Sequence, residues 1–171
     1  MRGSETDVLS RYHLAAVQTG ADVIVRVTSD CPLLDPSLAA TVLSLVIKHG
    51  ADYACNNMPR SWPHGLDCEA FRFYWLNRAA AEATLSSEIE HVTPYMRNHS
   101  DVRKLVLQGP GGAIVNNRWT LDTNSDMKLL QAVFARLPRG RDGFDYRVPL
   151  DIVTADPSLA ALNASAKCET W

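Results

Sequence analysis

Two aspartates stand where strand-like runs end. Asp30 closes "VIVRVTSD" and Asp122 closes "RWTLD". In a sheet covered by helices, ligands gather beyond the carboxyl ends of the strands. Two carboxylates on neighbouring strand ends can share a hard cation such as Mg²⁺, which keeps waters and substrate phosphate oxygens as its other ligands. The competing reading is that each aspartate merely caps the helix that follows. A better cap is present in each case, Asp35 before Pro36 and Thr123 before Asp126. Asp30 and Asp122 are therefore the candidate metal-binding and catalytic pair. Asp67 and Glu69 in "GLDCEAF" form a D-x-E, which on a strand faces one side. They are either a hydrogen-bonded pair orienting the loop "PRSWPHGLD" or, in place of Asp30 and Asp122, the residues that hold the metal. In that loop Trp62 either stacks on a sugar ring or packs in a surface turn. Arg118, beside Trp119, is set either to contact phosphate or to face solvent. His13 and His64 read as surface residues and Trp75 as core.

These side chains need a scaffold, and the chain alternates strand-like and helix-like segments. Ser4 to Asp7 has the form of a capping box, followed by Val8, Leu9, Tyr12, Ala15 and Ala16 at helical spacing, and Gly20 as a stop. Residues 22–28 read as an apolar strand. Asp35-Pro36 opens a second helix that ends at Gly50. Residues 51–56, 65–71, 103–108 and 118–122 are further strand candidates, and 73–84 and 87–98 helices. Thr123 and Asp126 cap a helix bearing Met127, Leu130, Val133, Phe134 and Leu137. Residues 149–163 suggest two short helices broken at Asp156-Pro157. Strands separated by helices imply an α/β fold, with a parallel or mostly parallel sheet and helices on both faces.

Composition narrows the class. The 171 residues are 46% hydrophobic and 21% charged, which fits one globular domain with a sizeable core and a helical tail from about residue 138. A net charge of −2 argues against a nucleic-acid surface. No apolar run reaches the roughly 18 residues of a membrane span. Cys31, Cys55, Cys68 and Cys168 form no CxxC, so zinc and redox motifs are not indicated, and free thiols in a cytoplasmic protein are expected.

Six stretches in order, "RGSETDVLSRY", "ADVIVRVTSDCPLLDP", "GLDCEAF", "EHVTPYMRNH", "RWTLDTNSDMKLL" and "LAALN", resemble the SpsF-type spore-coat polysaccharide cytidylyltransferases. These are relatives of the CMP-KDO and CMP-acylneuraminate synthetases. The resemblance spans nearly the whole chain, and "TSDCPLLDP" and "RWTLDT" are its specific parts. It implies a Rossmann-like nucleotidyltransferase fold and the reaction of CTP with a sugar or sugar acid to give CMP-sugar and pyrophosphate. It implies that Asp30 and Asp122 are the two metal-binding aspartates. "HVTPY" matches a His-x-x-x-Tyr element that contacts the acceptor sugar, which points to His91 and Tyr95; on one helix these would share a face. It also implies a homodimer.

One departure is large. Members of this family begin with a strand and a Gly-rich basic loop that wraps the triphosphate, and nothing in this sequence matches that loop. The resemblance thus aligns residues 1–171 with the C-terminal two thirds of the fold, as a fragment or a natural short form. Losing a cationic clamp on a phosphoryl centre costs roughly 10³–10⁵ in rate, so the chain is expected to be inactive or weak alone. Without a first strand, 22–28 becomes an apolar edge that invites a second copy. Two alternatives stand beside the cytidylyltransferase: a glycosyltransferase whose metal is held by Asp67 and Glu69, and a non-catalytic sugar- or nucleotide-binding partner.

Overall fold

The structure, a computed structural model, describes residues 2–138 and 145–166. Its elements in chain order are α1 (Val8–Thr19), β1 (Val23–Arg26), α2 (Pro36–Ile47), β2 (Tyr53–Cys55), β3 (Glu69–Arg72), α3 (Phe73–Glu82), α4 (Ser86–His91), α5 (Pro94–Asn98), β4 (Lys104–Val106), a 3₁₀ turn (Gly112–Asn116), α6 (Asn124–Phe134), α7 (Arg147–Ala155) and α8 (Pro157–Ala161). They form two compact units. One comprises the chain up to Arg26 with Val42–Cys55 and Glu69–Val106; the other comprises Val27–Thr41, Asn56–Cys68 and the chain from Leu107.

The first unit holds the four-stranded sheet, in the order β1-β3-β2-β4. β3 runs antiparallel to both β1 and β2, while β2 and β4 are parallel. The sheet is therefore mixed: β1, β2 and β4 share a direction and β3 is inserted against them. The loop 56–68 accounts for the reversal, since it carries the chain back beside β2 without the helical crossover that a parallel neighbour requires. Among the described residues β1 has a neighbour on one side only. Tyr53, Phe71, Trp75, Leu76 and Met96 form this unit's core with Leu9 and Ala16 of α1. The cap of α1 lies three residues later than expected: the Asp7 carboxylate accepts from the Ser10 N–H at 2.9 Å, and the Ser4 hydroxyl accepts from the Asp7 N–H. Gly20, with φ of 63°, closes the helix in the left-handed conformation.

The expected helix over 87–98 is two helices. Between α4 and α5, Val92 has φ of 71°, and its C-cap geometry has ψ of −50°. The Thr93 N–H donates to the His91 carbonyl at 2.8 Å. This is the strained, positive-φ γ-turn. A β-branched residue held there costs about 1–3 kcal/mol, which the complete burial of Val92 in the core offsets.

The second unit packs Leu33, Leu38, Trp62, Leu66, Trp119 and Leu129, among others, around α6. Asp35 caps α2 as expected, accepting from the N–H groups of Ser37 and Leu38, and its second oxygen accepts from Tyr146 N–H. Thr123 and Asp126 form the expected capping box of α6. Asp156 caps α8. Residues 118–122 form no ladder: Arg118 makes an isolated parallel bridge with His64, in which His64 N–H donates to the Asn117 carbonyl and Trp119 N–H to the His64 carbonyl, and Leu121 N–H donates to the Asp30 carbonyl. No helix among the described residues is long and apolar enough to cross a membrane. Cys31, Cys55 and Cys68 are buried free thiols, whereas Cys168 lies outside the described residues, as does the end of the expected tail.

Candidate functional site

The segment 117–121 brings the candidate residues of the second unit together. Its bonds to His64 and Asp30 set Arg118, Thr120 and Asp122 beside them. Gly65 makes the approach possible. Its φ is 105°, and a Cβ there would lie 2.5 Å from the carbonyl carbon of Trp119, so glycine is required on both counts. The fully buried Thr120 hydroxyl lies 3.3 Å from Asp30 Oδ2 and 3.3 Å from Asp122 Oδ2. A hydroxyl carries one proton and cannot fully satisfy both carboxylates. Asp30 Oδ1 is buried without a hydrogen-bond partner among the described residues. Asp122 Oδ2 also receives Arg118, so the unsatisfied group is Asp30 Oδ1; an orphaned carboxylate oxygen with a second carboxylate across the Thr120 hydroxyl fits a divalent cation. Among the described residues no three His, Cys, Asp or Glu side chains are arranged to hold a metal ion between them. A metal here would rely on Asp30, Asp122 and substrate or water oxygens, which is the habit of Mg²⁺.

Arg118 organises the flank of this pair. Its Nη2 donates to Asp122 Oδ2 at 2.5 Å, and its Nε and Nη2 donate to the two oxygens of Asp126 at 3.0 and 3.2 Å. Asp126 is completely buried. Burial opposes its ionisation, but bonds from Arg118, Asn163 and Thr123 outweigh that and hold its carboxyl well below the usual range. Asn163 Nδ2 donates to Asp126 Oδ1 at 2.8 Å and to the Arg118 carbonyl at 3.0 Å. Burial, with Arg60 and Arg118 nearby, lowers the pKa of His64 and keeps the ring neutral at pH 7, although Asp67 and Asp122 pull the other way. His64 is thus a half-buried member of the site and not the surface residue expected. Trp62 is core: its indole N–H donates to the Leu107 carbonyl and Tyr146 meets it edge-on.

The D-x-E does not act as a pair. Asp67, in the second unit, is bound by both Nη atoms of Arg60 at 2.9 and 3.4 Å. Glu69, in the first unit, is 2% exposed and receives Arg26, Arg97, Tyr53 and Thr93. Burial works against its charge, yet Arg97 and Arg26 bring its pKa below the ordinary value. A carboxylate so enclosed is unavailable to the metal of a dissolved nucleotide-sugar, because β3 starts at Glu69 and turns it into the interior. His91 and Tyr95 fall on different helices on either side of Val92, so the expected common helix face does not form. The Tyr95 hydroxyl donates to Glu82. Thr120 and Asn163 carry no site signal in the sequence, and Asp126 reads there only as a cap. The regular spacing of Arg118, Asp122 and Asp126 was the available signal.

The fold is that of the α/β nucleotidyltransferases. The coordinates match the structure of a cytidylyltransferase from Leptospira borgpetersenii with a TM-score of 0.86 and 25% identity, over 100% of this chain and 70% of that one. The chain is 30% identical to an uncharacterized protein of Methanocaldococcus jannaschii, over 99% of this chain and 69% of that protein. It is 29% identical to the spore coat polysaccharide biosynthesis protein SpsF of Bacillus subtilis, over 79% of this chain and 56% of that protein. No family model matches. The chain belongs to one family with the Methanocaldococcus jannaschii protein, and its similarity to SpsF and to the Leptospira cytidylyltransferase supports a SpsF-type cytidylyltransferase.

Proposed function

We propose that the chain serves CMP transfer from CTP to a sugar hydroxyl, with release of pyrophosphate, in cytoplasmic steps of surface polysaccharide biosynthesis. The observation that carries this reading is the convergence of Asp30 and Asp122 on the Thr120 hydroxyl beside an unpartnered Asp30 oxygen. Asp30 and Asp122 would hold Mg²⁺, which when bound neutralises charge on phosphate oxygens. Arg118 keeps the Asp122 carboxylate in place and is itself anchored by Asp126 and Asn163. A second copy of the chain completes the proposal, since β1 offers an open edge with Val25 exposed.

Mn²⁺ binding followed by electron paramagnetic resonance tests the site. CTP is expected to strengthen binding, and Asp30→Asn or Asp122→Asn to weaken it by about tenfold or more, roughly 1.4 kcal/mol. Equal binding by wild type and the double variant would overturn the reading. Pyrophosphate release from CTP in the presence of sugars, measured on the same samples, tests the transfer itself.

A further inference from the structure

Asp126 does more than cap α6. Its side chain is fully buried, and its two oxygens serve different groups. Oδ2 accepts from the backbone N–H groups of Asp122 and Thr123 at 3.2 and 2.9 Å and from the Thr123 hydroxyl at 2.9 Å, which are the bonds of the cap. Oδ1 accepts from Asn163 Nδ2 at 2.8 Å and from Arg118 Nε at 3.0 Å, while Arg118 Nη2 reaches Oδ2 at 3.2 Å. The guanidinium thus lays its Nε–Nη2 edge along Asp126, the paired geometry that carboxylates favour. Asp122 is left a single contact with that edge, from Nη2 to its Oδ2.

This division leaves Asp122 half open. Thr120 and Arg118 both meet Oδ2, no described residue donates to Oδ1, and the side chain is 47% exposed. Asp30 Oδ1 likewise has no partner among the described residues. Each aspartate therefore keeps one oxygen for an outside cation. The same guanidinium edge laid along Asp122 would cover both of its oxygens and set a positive charge against an incoming cation. Asp126 wins the edge through burial, because attraction between charges strengthens away from water. Asn163, 5% exposed and 37 residues away in the chain, fixes the oxygen that Arg118 Nε meets.

We propose that Asp126 is a positioning residue that holds Arg118 off the oxygen of Asp122 that a divalent cation would use. Being fully buried, it acts through Arg118 and not on a ligand. That a cation is what Asp122 is kept open for rests on the Mg²⁺ reading above.

Asp126→Asn separates the two duties. Every group that reaches Asp126 is a donor, so an amide must turn its NH₂ against one set of them. Its oxygen stays with the donors of the cap, and its NH₂ then faces Arg118 Nε and Asn163 Nδ2. Metal-free NMR of the full chain reads the consequence. Asp122→Asn should shift the Arg118 Nε–H resonance far more in the Asp126→Asn background than in the wild type, because there the guanidinium has turned onto Asp122. Equal shifts in both backgrounds would overturn the proposal. Mn²⁺ binding, followed by electron paramagnetic resonance, gives a second readout. Asp126→Asn should weaken it by about 10–100-fold, the usual cost of losing a group that orients a metal ligand. With Arg118 already replaced by Gln, the same change should cost no more than about twofold, the scatter between independent sites. A loss of the same size with and without Arg118 would show a merely structural effect and overturn the proposal. Should Asp126→Asn fail to fold, Asn163→Ala keeps the charge and the cap and frees only Asp126 Oδ1; it should move both readouts the same way, and no change in either would overturn the proposal. A wild type that binds no Mn²⁺ would sink the metal reading and leave the NMR comparison to decide the role of Asp126.

Discussion

Replacing Glu69 by Gln tests how the sheet-bearing unit is held together. The carboxylate sits at the start of β3 and receives Arg26 Nη1 at 2.7 Å, Arg97 Nη2 at 2.5 Å, the Tyr53 hydroxyl at 2.5 Å and the Thr93 hydroxyl at 2.8 Å. The side chains of Arg26 and Arg97 are only 19% and 13% exposed. Removing the anion leaves two largely buried guanidiniums facing an amide. Breaking a buried pair in this way costs about 3–5 kcal/mol. For a chain of this size 1 kcal/mol moves the melting temperature by about 2–4 °C, so Glu69→Gln should melt about 6–20 °C below wild type by circular dichroism. The pH dependence has a definite sign. The folded-state pKa of Glu69 is below its unfolded value, so its contribution is present at neutral pH and is lost as pH falls through the folded pKa. The difference between wild type and variant should be constant above about pH 5 and shrink below about pH 4, since an unfolded Glu titrates near 4.3. A difference under about 2–4 °C at pH 7, equivalent to about 1 kcal/mol, or one that persists unchanged in acid, would refute the ionised hub.

Gly65→Ala should destabilise the second unit by more than the roughly 1–3 kcal/mol of backbone strain alone, because its Cβ would also lie 2.7 Å from the Trp119 carbonyl oxygen; an unchanged melting temperature would contradict the close approach. Burial pushes the Cys31 thiol up to about 12, with Thr28 as a weaker opposing influence. Only about one molecule in 10⁴ is then thiolate at pH 8. Mass spectrometry after alkylation should find Cys31 unlabelled in the native chain and labelled after denaturation, and rapid native labelling would contradict its burial. Light scattering at micromolar concentration should report about twice the chain mass of 18.9 kDa if β1 recruits a second copy; a monomer would exclude that pairing.

The helices were the most legible part of the fold. Asp35-Pro36, the Thr123–Asp126 box and Asp156-Pro157 each satisfy exposed backbone donors through a nearby side chain, and such local chemistry is written in adjacent residues. The direction of β3 was not legible, because "GLDCEAF" is equally apolar whichever way it enters a sheet. Pro94 marked a kink or a helix start beside Val92, as α5 shows, but not the γ-turn itself, where the core and the Thr93–Glu69 bond hold a conformation that valine disfavours. At the candidate site the two aspartates could be singled out by their positions after apolar runs. Asn163 could not, since its partners Arg118 and Asp126 lie 45 and 37 residues away. The fate of Glu69 was hidden for the same reason: whether a carboxylate meets a ligand or two arginines depends on long-range packing.

The placement of β3 between β1 and β2 imposes an order of events on synthesis. Arg26 and its partner Glu69 are separated by 43 residues. At roughly 5–20 residues per second on the ribosome, β1 emerges about 2–9 s before the strand that pairs with it. β4 is made later still, so β2 cannot borrow it as an early partner. Through that interval Val23, Ile24 and Val25 remain an apolar segment with open backbone donors and acceptors, within reach of other nascent chains. Crowded polysomes are therefore where this chain is most exposed to mispairing, and slower initiation or a bound chaperone should raise its soluble yield more than any change that stabilises the finished fold.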